Sequence, residues 1–194
     1  MKKVLFITFL GLLLCCKNES TTPHSAKEKA DSNAKETVES PPDSEEIEPE
    51  ILLGKQDRQA LKKSPYNTWF DTNYEAYTID TTSVKKLIPY LKNITIKAFI
   101  GTWCEDSQRE IPTLYKILDA TNFDYKKLEL VTVSREKDTP DKFEEGLNIL
   151  MVPTFIFYKD GKEMGRYVEF ARETLEKDML TIVSEQSYKH SYEN

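Results

Sequence analysis

Trp103-Cys104-Glu105-Asp106-Ser107, with Val152-Pro153-Thr154 further along, decides how this chain is read. The first stretch follows the β-rich run Ile94 to Ile100 and opens a helical pattern, Ser107 to Ala120, in which Ile111, Leu114, Tyr115 and Leu118 share one face. A cysteine at a strand-to-helix turn sits among unsatisfied N–H groups at the positive end of the helix dipole. Both favour the thiolate, the form that attacks disulfides. Glu105 and Asp106 stabilise a helix start but, as anions, oppose a charged sulfur, so the sequence predicts a moderately reactive thiol. Thr102 and Glu105 have capping-box spacing. Ser107 offers a hydroxyl where a local redox pair would need a second thiol.

Outward from this turn, strands and helices alternate. Tyr74 to Asp80 reads as a strand, and Thr82 to Leu91 as a helix with Val84, Leu87, Ile88 and Leu91 on one face, shortened or kinked by Pro89. Lys127 to Ser134 reads as a strand, and Thr139-Pro140 as a helix start with a capping residue and proline in the first turn. Thr154 to Tyr158 and Glu163 to Glu169 flank the hairpin signal Lys159-Asp160-Gly161-Lys162, and Glu173 to Val183 closes the pattern as an amphipathic helix. The expected architecture is α/β, a central mixed sheet with helices on both faces. Ahead of it, residues 51–73 form an extension: a short polar helix around Gln56 to Lys63, ended by Ser64-Pro65, then the aromatics Tyr66, Trp69 and Phe70, read as packing. The domain proper is expected over 74–186, with a tail at 187–194.

The N-terminus has a different character. Lys2 and Lys3 precede a charge-free, mostly apolar run from Val4 to Leu14, too short to span a bilayer and suited to a signal peptide. Leu13-Leu14-Cys15-Cys16 resembles a bacterial lipobox, with Cys16 the better candidate for lipidation because Cys15 then fills the small-residue position; a plain secretory signal is the alternative. Residues 17–50 lack apolar periodicity and hold four Lys against ten Asp plus Glu, a net of −6, which predicts a disordered acidic tether. A flexible coil of that length spans about 30 Å. With Lys2 and Lys3 set aside, the chain from Ile51 onward carries a net of only −2 and no basic stripe, which argues against a nucleic-acid partner. If residues 1–16 are processed as expected, Cys104 is the remaining free thiol.

Other chemistries lack material. His24 and His190 are the only histidines and lie in the tether and tail, so no Cys/His metal site is expected. No Gly-rich phosphate loop is present and no cofactor is implied. Glu105 and Asp106 are first-turn carboxylates before they are an acid/base pair.

Trp103-Cys104-x-x-Ser107, Pro112 within the following helix, and Val152-Pro153-Thr154 leading through Phe155 to the Lys159-Asp160-Gly161 turn resemble the thioredoxin superfamily over roughly Tyr74 to Ser184. The resemblance implies a cis peptide before Pro153, facing Cys104, with Trp103, Val152, Pro153 and Thr154 lining the place where a substrate chain lies. It also implies Cys104 as nucleophile and Ser107 at the resolving-cysteine position, with a possible hydrogen bond to the thiolate. Two departures stand out: Ser107 cannot resolve a mixed disulfide, and Ala98 occupies the place of a buried Asp that assists the resolving step in dithiol members. The expectation is a monothiol exchange protein of the cell envelope, lipid-anchored and periplasm-facing, acting on protein or low-molecular-weight thiols and disulfides with an external reducing thiol. The rival is a binding or chaperone-like module that uses the groove beside Pro153 without turnover.

Overall fold

The computed structural model describes residues 50–193; the expected signal segment, Cys15, Cys16 and the tether through Pro49 lie outside the described residues. The order is β1 (Gly54–Gln56), α1 (Arg58–Leu61), α2 (Asn67–Ala76), α3 (Thr81–Leu91), β2 (Ile94–Ile100), α4 (Glu105–Ala120), β3 (Leu128–Thr132), β4 (Thr154–Lys159), β5 (Lys162–Val168) and α5 (Leu175–Val183). One mixed sheet has the order β1-β3-β2-β4-β5. Only β2 and β3 run parallel; β1 lies antiparallel to β3, β4 to β2 and β5 to β4.

Alternation along the strands divides the core in two. Ile94, Ile96, Ala98 and Ile100 of β2, with Phe155 and Phe157 of β4, meet buried residues of all five helices, among them Leu61, Phe70, Leu87, Ile111 and Met179. The opposite face sends Phe99, Val131 and Ile156 into a smaller cluster closed by Ile149, Val152, Phe143 and Leu147 from the segment between β3 and β4. That segment holds no helix, correcting the expectation at Thr139-Pro140. Lys142, Gly146 and Asn148 all have positive φ (54°, 75° and 54°), which breaks a right-handed helix three times within seven residues. The Thr139 hydroxyl does accept from the Phe143 N–H at 2.9 Å, but it caps a turn.

The strand expected at Tyr74 to Asp80 is also corrected. α2 continues to Ala76 because its aromatic face packs on α4: Phe70 meets Tyr115 edge-on at 5.7 Å, and Lys116 Nζ donates to the Tyr74 carbonyl at 2.7 Å. Asp80 then caps α3, accepting from the Thr82 N–H at 2.9 Å. At the far end of α4, Asp119 accepts from Arg58, Tyr74 and Tyr125. The Arg58 guanidinium also lies 5.0 Å from both the Tyr74 and Tyr115 rings, which locks α1, α2 and α4 together. Gly54–Gln56, expected outside the sheet, pairs with β3 as an edge strand.

Candidate active site

The reactive turn is built at the ends of β2 and β4. β2 ends at Ile100, and Gly101-Thr102-Trp103 carries the chain over to Cys104, the N-cap residue of α4, with φ −97° and ψ 121°. The Cys104 N–H donates to the Gly101 carbonyl at 3.0 Å, and its side chain makes no capping hydrogen bond. The first-turn N–H groups of α4 therefore have no side-chain acceptor and are the donors available to an anionic sulfur. The expected capping box is not formed: the Thr102 hydroxyl turns away and accepts from the Leu52 N–H at 3.3 Å.

Cys104 is half-buried and is the one cysteine among the described residues. Its Sγ donates to the Val152 carbonyl at 3.2 Å, and the Val152–Pro153 peptide is cis. Residues far apart in sequence thus meet because β2 and β4 pair antiparallel, Phe99 opposite Thr154. The Val152 side chain is buried in the smaller cluster, leaving its backbone at the sulfur. Thr154 lies beneath the surface, its hydroxyl donating to the Met151 carbonyl at 2.7 Å, so it pins the loop that carries Pro153.

Ser107 is fully buried, and its Oγ accepts from the Gly101 N–H at 3.1 Å. The hydroxyl thus satisfies a strand-end donor that would otherwise be stranded. Trp103 is half-buried; its indole Nε1 donates to the Val133 carbonyl at 3.0 Å, and Arg135 and Lys137 lie 5.3 Å and 5.7 Å from its ring. Gly101 makes this ring position possible: a Cβ there would come within 2.6 Å of the Trp103 ring. Sequence reasoning singled out neither Gly101 nor the two cations. A glycine ahead of Trp-Cys was a visible signal, whereas the cations are brought in only by strand order.

On the other side of Cys104, Arg109 binds Asp106 at 2.7 Å and Glu110 at 2.8 Å. Burial raises the Glu110 carboxyl above its ordinary value, and the hydrogen bond from Arg109 pulls it back only in part. Glu169 follows β5 with φ 64°, and its N–H donates to the Pro153 carbonyl at 2.8 Å. Burial first, then the nearby Asp106 charge, also raises its carboxyl, against the pull of Arg109. No group of three His, Cys, Asp or Glu side chains among the described residues is arranged to hold a metal ion. The arrangement offers one sulfur, a backbone carbonyl beside it and uncapped helix N–H groups.

The chain is similar to several known proteins. A thioredoxin-like protein of Acanthamoeba polyphaga mimivirus is 27% identical over 89 residues, 46% of this chain and 62% of that protein, so the match spans less than two thirds of that relative. A Pseudomonas aeruginosa protein of unknown function has the same fold at a TM-score of 0.51 and 15% identity, covering 67% of this chain and 92% of that one. Saccharomyces cerevisiae mitochondrial thioredoxin 3, in its oxidised form, is 26% identical over 48% of this chain and 84% of its own, with a TM-score of 0.29. The profile of the thioredoxin family matches residues 55–184, well over half of the sequence, and the protein belongs to that family.

Proposed function

We propose that this protein is a monothiol thiol-disulfide exchange protein, tethered by its acidic 17–50 segment to a lipid anchor on Cys16 at the periplasmic side of the cell envelope. Family membership supports thiol chemistry on protein or small-thiol substrates, and the placement of Cys104 carries the monothiol reading. Cys104 is the N-cap residue of α4, and its sulfur rests on the Val152 carbonyl. Ionisation exchanges that contact for hydrogen bonds from the first-turn N–H groups.

The thiolate attacks one sulfur of a substrate disulfide. A Cys104–substrate S–S bond forms as the substrate S–S bond breaks, and the leaving sulfur takes the electron pair and then a proton. Ser107 does not reverse this, because a hydroxyl is a poor nucleophile toward sulfur and this one is buried against Gly101. An external thiolate attacks the Cys104 sulfur and displaces the second substrate sulfur as a thiolate, and a second external thiolate then attacks the resulting mixed disulfide, forming an external disulfide and freeing Cys104; each displaced sulfur takes the electron pair and then a proton.

The test is to replace Cys104 with Ser in cells and compare covalent partners. Reducible adducts on the wild type that vanish in Cys104→Ser support exchange. A second reading, a binding module without turnover, draws on a cavity of about 560 Å³ behind Thr154, lined by Leu150, Met151, Val168 and Tyr192 among others. It expects partners that persist noncovalently in both proteins. Mass spectrometry of the mature N-terminus tests the anchor, since an unmodified Cys16 contradicts it.

A further inference from the structure

The loop that meets Cys104 has two sides, and the exchange chemistry uses one of them. Toward the sulfur it presents the Val152 carbonyl and the cis bond to Pro153. Met151 and Thr154, which bracket those two residues, line the cavity of about 560 Å³, and so does Val168, opposite Thr154 on β5. The end of the chain supplies a further wall. The Tyr188 hydroxyl donates to Asp178 at 2.9 Å and the Ser191 hydroxyl to the Phe170 carbonyl at 2.7 Å, which brings Tyr192 against the Phe170 ring, edge-on at 6.1 Å.

The walls say what fits inside. Their charged side chains are already engaged: Arg166 donates to both Glu163 oxygens at 2.7 Å and 2.8 Å and to the Leu147 carbonyl at 2.8 Å, while Glu193 accepts from the His190 N–H at 3.1 Å. An ionic ligand would have to break these pairs, whereas an apolar one leaves them in place. Leu150 and Tyr192 stand at the rim, 68% and 50% exposed, and Phe170, 47% exposed, extends the apolar surface beyond Tyr192. That surface is continuous with the reactive loop, because Glu169, next to Phe170, donates its N–H to the Pro153 carbonyl at 2.8 Å. Large apolar side chains gathered at one place mark an interaction site where single ones do not.

We infer that the exchange site continues into this cavity, and that its substrate is a polypeptide disulfide with a large uncharged apolar side chain about three residues from the cysteine that Cys104 attacks. The inference rests on the exchange chemistry above and adds its substrate class. An extended chain advances about 3.3 Å per residue, so a side chain so placed clears Val152 and Pro153 by about 10 Å of reach. There it leaves water against Leu150, Met151, Val168 and Tyr192 while the substrate sulfur stays at Cys104. The cavity lies to one side of the sulfur, so the anchoring residue falls on one side of the substrate cysteine.

Three uncharged peptides of equal length test it, each with a single cysteine activated as an aryl mixed disulfide. Phe stands three residues before the cysteine in the first and three after it in the second, and Ala fills both positions in the third. The protein is the full chain with Cys15→Ser and Cys16→Ser, so that Cys104 is its only thiol. Its thiolate attacks the peptide sulfur, a Cys104–peptide S–S bond forms, and the aryl thiolate leaves with the electron pair and is followed by its absorbance. Burial of a Phe side chain is worth a factor of about ten or more, so one Phe peptide should react about tenfold faster than the Ala peptide and the other at the Ala rate. The preference should survive about 1 M salt, where charge effects are screened within about 3 Å. Leu150→Ser with Tyr192→Ser, both at exposed positions, should bring the ratio close to one. Equal rates for all three peptides, equal gains from both Phe placements, or a preference untouched by the double variant overturn the inference and leave the exchange reading standing. Sedimentation of the chain alone tests the rival occupant: a dimer that dissociates in the double variant would assign the surface to a second copy and also overturn the inference. Failure of Cys104 to react with any of the three, under conditions in which a free cysteine peptide reacts, overturns the exchange reading itself.

Discussion

The two ends of α4 are built to opposite ends. At Ala120 the helix is fastened: Asp119 accepts from Arg58, Tyr74 and Tyr125, and three aromatic rings surround the guanidinium. At Glu105 it is left open, with a cysteine as N-cap, no side-chain cap and a sulfur that makes one hydrogen bond, to Val152. The carboxyls repeat the contrast. Burial alone would raise the Asp119 carboxyl, but hydrogen bonds from Tyr125, Tyr74 and Arg58 outweigh it and hold Asp119 below its ordinary value. Around the open end burial wins, and Glu110 and Glu169 are raised. A helix anchored at one end can present unsatisfied donors at the other, which is what thiolate chemistry needs.

The largest effect is expected from Gly101→Ala, which breaks the open end. The added Cβ meets an aromatic ring at 2.6 Å, and the ring cannot stay both there and bonded to Val133. Overpacking of this kind costs about 3 kcal/mol, and displacement of Trp103 should shift its fluorescence to the red. Urea denaturation gives the first quantity and emission spectra the second. Unchanged values for both would mean that the Gly101 site has room the geometry does not show.

Asp119→Ala breaks the fastened end and should cost about 2 kcal/mol, as expected for lost hydrogen bonds to a partly buried charge. The rate at which Cys104 reacts with a disulfide probe should not change in the folded protein. Acid separates the two ends further. The stability contributed by Asp119 is present above its ordinary pKa and lost as pH falls through its lowered folded value, whereas that from Glu110 and Glu169 is present in acid and lost as pH rises through their raised values. Acid unfolding followed by circular dichroism should therefore show a low-pH loss in the wild type that is smaller in Asp119→Ala.

Ser107→Ala should have the smallest effect. It removes the acceptor of the Gly101 N–H, costing about 1 kcal/mol in chemical denaturation, and should leave adduct formation at Cys104 in place. A variant that no longer forms adducts would give Ser107 a role in activating the thiol.

Local periodicity made much of this architecture legible. Ile94 to Ile100, the helix with Ile111, Leu114 and Leu118 on one face, and the hairpin at Asp160-Gly161 all appear close to where their patterns place them. What escaped were elements decided at long range. β1 is three residues long and exists through pairing with β3, Gly54 opposite Thr132. Tyr74 belongs to a helix because Lys116 and Asp119 receive it and Phe70 stacks on its ring, despite an alternating local pattern. The site divides in the same way. Cys104, Ser107, Val152 and Pro153 could be named from their motifs, whereas Arg135, Lys137 and Glu169 join them only because β3 and β5 end beside β2 and β4.

The most direct test of the central claim is intact-mass spectrometry of the full chain with Cys15→Ser and Cys16→Ser after exposure to a peptide disulfide. One covalent adduct per chain is expected, located at Cys104, stable until a reducing thiol is added and absent from the chain that also carries Cys104→Ser. A chain that remains unmodified under conditions in which a free cysteine peptide reacts would contradict it.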